Sequence, residues 1–182
     1  DVLINAAAID PKVTNERHFN SFVNYPLNRW KKTININLNG AFLLSKYICK
    51  IFEKNKFNGK IINVSSVYGE KPPNQSIYSK KNIRKVFKPL EYGISKSALH
   101  SFTKSLAVYY NKTNIRVNTL TPGGVRKKDQ NNNFVKNYSD RTIVGRMANL
   151  NDYDDALDFL CSKNNNYLNG SNIIVDGGLS IS

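Results

Sequence analysis

A tyrosine and a lysine stand four residues apart in the segment EYGISKSALHSF, residues 91–102. Four residues is about one turn of an α-helix, so Tyr92 and Lys96 would share a face within reach of each other. A fixed positive charge stabilises a phenolate, which makes a tyrosine a usable general acid or base nearer neutral pH. The same spacing occurs by chance in many helices, so the pair alone does not separate catalysis from a solvated surface contact.

The elements that would position this pair alternate between strand-like and helix-like patterns. Four short apolar segments have the composition of buried strands: 2–5, 60–66, 114–124 and 171–178. Helical periodicity separates them: 26–52, about 91–110 and about 152–161. This alternation predicts parallel βαβ units, with helices on both faces of the sheet, in one α/β domain spanning residues 1–182.

Ligands of parallel sheets bind at the carboxyl ends of the strands, so the segments that leave the strands are where chemistry is expected. Those segments are small or polar: Asn5-Ala6-Ala7-Ala8, Ser65-Ser66 and Pro122-Gly123-Gly124. Small residues there would allow a ligand to approach the backbone closely.

Composition argues against several classes of protein. The 27 Lys and Arg against 13 Asp and Glu give a net charge of +14, but the lysines are scattered and form no stripe interleaved with aromatics, so no nucleic-acid partner is predicted. Cys49 and Cys161 have no CxxC partner, and His18 and His100 are isolated, so no metal site is predicted. No apolar run approaches the roughly 18 residues of a membrane span and there is no secretory leader, so we expect a cytoplasmic protein with reduced cysteines and no membrane partner.

Six segments, in order, resemble the motifs of the short-chain dehydrogenases/reductases (SDR). INAAAI is similar to their Asn-Asn-Ala-Gly segment, INLNGAF to their Asn-x-x-Gly helix and IINVSSVYG to their catalytic serine strand. YGISK is similar to Tyr-x-x-x-Lys, NTLTPGGV to the Asn-Pro-Gly turn and YLNGSNIIVDGG to the closing strand. The resemblance covers essentially the whole chain and implies a Rossmann-like, doubly wound parallel sheet in three α/β/α layers.

The resemblance implies an NAD(P)-dependent interconversion of an alcohol and a carbonyl, with Tyr92 as the general acid/base. Lys96 would lower the pKa of Tyr92 and bind the nicotinamide ribose. Ser66 would hold the substrate carbonyl, with Ser65 as its rival for that role. Asn37 would hold a water in a proton relay to Lys96, and the alternative is an asparagine that bonds the backbone of a helix kink.

The family also implies positions that contact NAD or NADP, in addition to Tyr92 and Lys96. They are Asn5, Ala6 and Ala7 beside the adenosine half, and Pro122, Gly123 and Val125 beside the nicotinamide. The corresponding family helices form dimer contacts, so a homodimer or homotetramer is expected.

Two features depart from the family pattern. The chain has no Gly-rich phosphate turn, so the resemblance implies an amino-terminally truncated SDR domain that lacks its first βαβ units, on the order of 70–80 residues. The residue that selects NAD or NADP would lie in that part. Ser66 and Tyr92 are also 26 positions apart, farther than is usual, and the intervening insertion at 75–90 is basic: Lys80, Lys81, Arg84, Lys85 and Lys88.

The basic insertion has two interpretations, a solvated charge run or a rim that captures an anionic substrate such as a sugar phosphate, nucleotide sugar or acidic sugar. Its position and the NYPLNRW helix start resemble the bacterial flagellin-modification and nonulosonate oxidoreductases. The segment 125–150, with Arg126, Arg141 and Arg146, is predicted to be the substrate loop. Alternatives are a 3-oxoacyl-(carrier protein) reductase and a non-catalytic fragment that acts as a binding module.

Overall fold

The computed structural model of the protein describes residues 1–13, 22–78 and 88–182. Four parallel strands form one sheet in the order β1-β2-β3-β4. The strands are β1 (Val2–Asn5), β2 (Lys60–Val64), β3 (Arg116–Pro122) and β4 (Asn172–Val175). Each strand lies inside a segment predicted to be one, so the predicted parallel sheet is confirmed.

The α-helices of the described chain are α1 (Leu27–Ile34), α2 (Gly40–Asn55), α3 (Val67–Glu70), α4 (Leu90–Tyr109), α5 (Asn132–Ser139) and α6 (Asp154–Cys161). A π-helical segment (Asn35–Asn39) joins α1 to α2, so the helix predicted for 26–52 is interrupted at one point. Single 3₁₀ turns cover Phe22–Asn24, Gln75–Ile77, Leu150–Tyr153 and Leu179–Ile181.

The expectation of a loop over 125–150 is wrong for the part that forms α5. Asn131 caps this helix, because its side-chain oxygen accepts the backbone N–H of Asn133 at 2.8 Å. The helix then packs its aromatic residues inward, and Tyr138 is buried beside Val67 and Met147. An asparagine-rich sequence is typical of a loop, but Asn131 caps a helix here.

Helices cover both faces of the sheet. On one face, Phe52 of α2 and Ala107 of α4 pack against Ile61 of β2. On the other face, Leu160 of α6 packs against Ile62. Adjacent residues of β2 therefore face opposite helical layers, as the alternation of side chains along a strand requires.

A polar row crosses the sheet from the last residue of β1 to the first residue of β4. Asn5, Asn63, Thr119 and Asn172 are successive register partners from β1 to β4. Asn5 Nδ2 donates to Asn63 Oδ1 at 2.8 Å, and Thr103 of α4 bonds both Asn63 and Thr119 at 2.8 Å. Buried amides need such partners, so these hydrogen bonds support the register of the neighbouring strands.

The described part of the chain contains no helix with the length and apolarity needed to cross a bilayer.

Candidate active site

Tyr92 and Lys96 lie on the first turns of α4, against the end of β2. The Lys96 ammonium donates to the carbonyl of Val64, the last residue of β2, at 2.7 Å and lies 5.9 Å from the centroid of the Tyr92 ring. Lys96 is only 3% exposed, so the solvated-pair interpretation is wrong for it. Burial lowers the pKa of Lys96 to about 8, and the negative charge of Asp10 acts in the opposite direction.

The pKa of Tyr92 is raised, whereas the charge of Lys96 is expected to lower it. Burial contributes most and the charge of Asp10 next, and together they raise the pKa of Tyr92 to about 12. A hydrogen bond with Ser66 lowers the pKa but does not offset these effects. The expected net lowering is therefore wrong for this structure, and Tyr92 is protonated at neutral pH, which is the form of a general acid.

The two candidate serines at the end of β2 have different partners. Ser65 Oγ donates to the backbone carbonyl of Lys96 at 2.8 Å, so its hydroxyl is engaged with α4. Ser66 caps α3 by accepting the N–H of Tyr68 at 3.2 Å, and its side chain also bonds Tyr92. Of the two serines, Ser66 is the one whose hydrogen bond lowers the pKa of Tyr92, and its role toward a substrate stays a prediction.

Two glycines allow α3 to approach α4 closely enough for this contact. A Cβ atom on Gly93 would lie 2.7 Å from the carbonyl oxygen of Tyr68. A Cβ atom on Gly69 would lie 2.9 Å from the carbonyl carbon of Lys96. Both glycines belong to segments that resemble family motifs, SSVYG and EYGISK. These motifs therefore supply the close packing of α3 on α4 in addition to the candidate catalytic side chains.

Asn37 lies in the π-helical segment with its side chain directed away from its own helix. Its Oδ1 accepts the N–H of Ile9 at 2.7 Å, while its Nδ2 donates to the Ile9 carbonyl at 3.0 Å and to Ser95 Oγ at 2.9 Å. Ser95 in turn donates to the backbone carbonyl of Tyr92 at 2.7 Å. Asn37 therefore joins the segment after β1 to α4. It bonds backbone, as one interpretation expects, but the backbone of Ile9 and not that of a kink in its own helix. Its place in a proton relay stays a prediction.

A buried acid beside Tyr92 fixes the start of α4 to α1. Glu91 is fully buried and accepts Arg29 Nε at 2.8 Å and the hydroxyl of Tyr25. Burial and the hydrogen bond to Glu91 raise the pKa of Tyr25 far above its usual range. Sequence reasoning missed this network, because residues 25, 29 and 91 come together only in the folded chain.

Asn5 is the last residue of β1, and Ala6 and Ala7 leave the strand as the sequence predicts. Asn5 Nδ2 donates to Ser45 Oγ at 3.1 Å and to Asn63, but Asn5 Oδ1 is buried without a partner among the described residues. Ala6 and Ala7 are exposed immediately beyond it. The end of β1 therefore combines a buried acceptor that has no partner among the described residues with exposed backbone that bears only methyl groups.

Pro122 ends β3, and the turn after it packs tightly against β4. Gly123 donates to the Val175 carbonyl at 2.8 Å and accepts the Tyr153 hydroxyl at 2.9 Å. Val125 forms a parallel bridge with Ala148, and its carbonyl accepts Gln130 Nε2 at 3.2 Å. A cavity of about 190 Å³ lies beside this turn, lined among others by Gly123, Gly124, Tyr138, Arg146 and Asp176.

The basic residues expected at the mouth of the site are only partly described. Lys80, Lys81, Arg84 and Lys85 lie outside the described residues. Lys88 is described, and it is buried in an ion pair with Asp10. Arg146 pairs with both carboxylate oxygens of Asp152 at 2.6 and 2.8 Å, and Arg141 donates to the Asn137 carbonyl and to Ser76, so both arginines are engaged within the chain.

Comparison with known proteins identifies the family. The model of a family described as enoyl-(acyl carrier protein) reductase matches residues 1–180. The chain is 28% identical to L-rhamnose 1-dehydrogenase (NADP(+)) of Thermoplasma acidophilum, over 99% of this chain and 65% of that protein. It is 30% identical to post-translational flagellin modification protein A of Campylobacter coli, over 94% of this chain and 71% of that protein.

A solved structure agrees with these matches. The short-chain dehydrogenase of Leptospira borgpetersenii with bound NAD+ superposes with a TM-score of 0.86 and 34% identity. The match covers 100% of this chain and 65% of the Leptospira chain, and so the chain spans less than two thirds of the length of that protein and of the Thermoplasma enzyme. The family match, the parallel sheet and the Ser66–Tyr92–Lys96 arrangement agree, and the chain belongs to the short-chain dehydrogenase/reductase family.

Proposed function

We propose that the protein is an NAD(P)-dependent oxidoreductase that interconverts an alcohol and a carbonyl, with Tyr92 as general acid and base. The observation that carries the proposal is the meeting of three side chains at the end of β2. Ser66 bonds Tyr92, and the buried ammonium of Lys96 lies 5.9 Å from the same ring. A hydroxyl donor, a phenol and a fixed cation are the groups that proton transfer to a carbonyl oxygen requires.

The residues at the strand ends fit a dinucleotide. The buried, unpartnered Oδ1 of Asn5 can accept a ligand donor, and the methyl side chains of Ala6 and Ala7 leave room for close approach. These three residues would lie along the adenosine half, while Pro122, Gly123 and Val125 would line the nicotinamide. NAD or NADP is also supported by the cofactors named for the Thermoplasma enzyme and the Leptospira structure.

The chain's own residues would manage the proton. When bound, the nicotinamide supplies or accepts the hydride. Tyr92 donates its phenolic proton to the substrate oxygen during reduction and removes it during oxidation, while the Ser66 hydroxyl donates to the same oxygen and holds it in place. The charge of Lys96 stabilises the phenolate of Tyr92, and Asn37 is proposed to hold a water on the path from Lys96 to solvent.

For the substrate, we propose an anionic or activated sugar in glycan biosynthesis. The proposal is supported by the 30% identity to the flagellin modification protein of Campylobacter coli and by the +14 charge of the chain. The second candidate is reduction of a 3-oxoacyl thioester, which is supported by the 29% identity to acetoacetyl-CoA reductase of Allochromatium vinosum. A binding module that performs no chemistry is the candidate from a different class.

We further propose a cytoplasmic homodimer or homotetramer. Large apolar side chains are exposed on α2 and α4, at Phe42, Leu43, Leu44, Tyr47, Val108 and Tyr109. Exposed apolar groups on neighbouring helices are typical of a subunit contact. Cys49 and Cys161 are both free thiols, as in a reducing compartment.

The experiment is a turnover assay of the full-length native chain with NAD+ or NADP+. The panel contains a sugar phosphate, a nucleotide sugar, a sugar acid and a 3-hydroxyacyl thioester, and formation of the reduced nicotinamide is measured. We expect turnover of at least one sugar and a loss of about 10²–10⁴-fold in Tyr92→Phe. The matched control is Tyr109→Phe, an exposed tyrosine on the same helix, which should retain activity. Turnover of the thioester alone would favour the second candidate, and no turnover of any alcohol with NAD+ or NADP+ would contradict the oxidoreductase proposal.

A further inference from the structure

A second lysine stands four residues before Tyr92, just as Lys96 stands four residues after it. Lys88 immediately precedes Pro89, which caps α4. Its ammonium lies 5.1 Å from the centroid of the Tyr92 ring, and the Lys96 ammonium lies 5.9 Å from the same centroid. Two ammonium groups therefore lie close to one phenol.

Lys88 is held in place by contacts that leave little freedom. Its side chain is 8% exposed, and its ammonium forms an ion pair with the carboxylate of Asp10. Its backbone N–H donates to Gln75 Oε1 at 2.7 Å. A buried ammonium must be paired to persist, and Asp10, in the segment after β1, provides the partner.

We propose that Lys88 is a positioning residue for the acid–base chemistry of Tyr92: its charge stabilises the phenolate, and Asp10 sets how much of that charge Tyr92 experiences. The inference rests on the proposed function only because that function makes Tyr92 the general acid and base. Through Asp10, the segment after β1 would then influence proton transfer by Tyr92.

The electrostatic argument depends on distance and sign. A unit charge 5 to 6 Å from a partly buried phenol shifts its pKa by about one unit or more. Asp10 carries the opposite charge, and it raises the pKa of both Tyr92 and Lys96. The charge of Lys88 is therefore partly cancelled at Tyr92 by the charge of Asp10.

Several groups besides Lys88 face Tyr92, and the test must keep them unchanged. They are Asp10 after β1, Lys96 on α4, Tyr68 on α3 and Tyr138 on α5. The variants below change only Lys88 and Asp10, so a shift in the titration of Tyr92 is assigned to this pair.

The experiment is an NMR titration of the full-length native chain labelled with ¹³C at the tyrosine ζ position. The signal of Tyr92 is identified by its loss in Tyr92→Phe. We expect Asp10→Asn to lower the titration midpoint of Tyr92 by about one unit, because it removes the carboxylate charge that raises the pKa of Tyr92. In the Asp10→Asn background, Lys88→Arg keeps a positive charge throughout the titration, and its midpoint should lie about one unit below that of Lys88→Met.

Lys104→Met, at an exposed lysine farther along α4, is the matched control and should leave the midpoint unchanged. The proposal is wrong if Lys88→Met and Lys88→Arg have the same midpoint in the Asp10→Asn background. If the Lys88→Met protein fails to fold, Lys88→Gln takes its place in this comparison. Because the titration needs no turnover, a protein without oxidoreductase activity still tests Lys88, and an active enzyme with unchanged midpoints refutes only its role.

Discussion

The junction of α3 and α4 and the edge of the sheet at β1 differ in how fully the described chain covers them. At the junction, Ser65 and Lys96 are 2% and 3% exposed, and glycines bring the two backbones into contact. At the edge, Val2 and Ile4 are 41% and 44% exposed, and the exposed Ala6 and Ala7 follow. The proposed acid–base residues are thus held by contacts within the chain, whereas the surface proposed for the adenosine half is open. Substitutions at the junction should therefore affect both chemistry and stability, and substitutions on the open surfaces should affect mainly binding.

Among substitutions around Tyr92 that leave the phenol in place, the largest effect should come from Ser66, which bonds Tyr92. Ser66→Ala removes the donor proposed for the substrate oxygen, and we expect kcat to fall by about 10²–10³-fold. Ser65→Ala is the matched control, because it deletes a neighbouring hydroxyl whose hydrogen bond in the described part of the chain goes to the α4 backbone, at Lys96. Steady-state kinetics of the two variants separate these roles. A larger loss of kcat in Ser65→Ala would make Ser65 the substrate donor.

A smaller effect should come from the close contact between the two helices. Gly93→Ala places a methyl group against the Tyr68 carbonyl, so we expect a loss of about 1–3 kcal/mol in the free energy of unfolding. Gly40→Ala is the control within a helix, because the nearest atom to the added Cβ is the backbone oxygen of Asn35, at 3.8 Å. This substitution should be neutral or should stabilise the fold by up to about 1 kcal/mol. Urea denaturation measures both, and equal stabilities would mean that α3 shifts without penalty.

The smallest effect on stability should come from the exposed face of α2. Leu44 is 51% exposed, so Leu44→Lys should change the free energy of unfolding of one subunit by no more than about 0.5 kcal/mol. It should nevertheless shift the protein toward smaller species in analytical ultracentrifugation, because it places a charge in the proposed subunit contact. Lys46→Ala, on the same helix and also exposed, should leave association intact. Unchanged association in Leu44→Lys would place the contact elsewhere.

The long, strongly patterned elements could be predicted from the sequence. The helix predicted from about Glu91 to Tyr110 is observed as Leu90–Tyr109, since its apolar periodicity and the preceding Pro89 are local signals. The strand predicted for 60–66 is observed as Lys60–Val64, and Ser65 and Ser66 leave it as expected. Helix α3 is one turn long and α5 is rich in asparagine, so neither has a periodicity that a sequence pattern detects.

The finer geometry of the site depends on contacts between distant residues. The ion pair of Asp10 with Lys88 joins positions 78 apart, and nothing local in either segment indicates it. The π-helical segment that presents Asn37 also has no distinct local signal. The four-residue spacing of Lys88 from Tyr92 was visible in the sequence, because it repeats the spacing of Tyr92 from Lys96. The sign of the pKa shift of Tyr92 could not be predicted, since it depends on how deeply the phenol is buried.

The most direct test of Tyr92 as the acid and base is the pH dependence of kcat/KM in both directions of the reaction. The pKa of Tyr92 is about 12 and that of Lys96 is about 8. Oxidation needs the phenolate and the charge of Lys96, so its kcat/KM should rise about tenfold per pH unit in the range below the pKa of Lys96. Reduction needs the phenol, so its kcat/KM should be independent of pH in the same range. An oxidation rate that does not change with pH, or a rise that persists in Tyr92→Phe, would contradict the assignment.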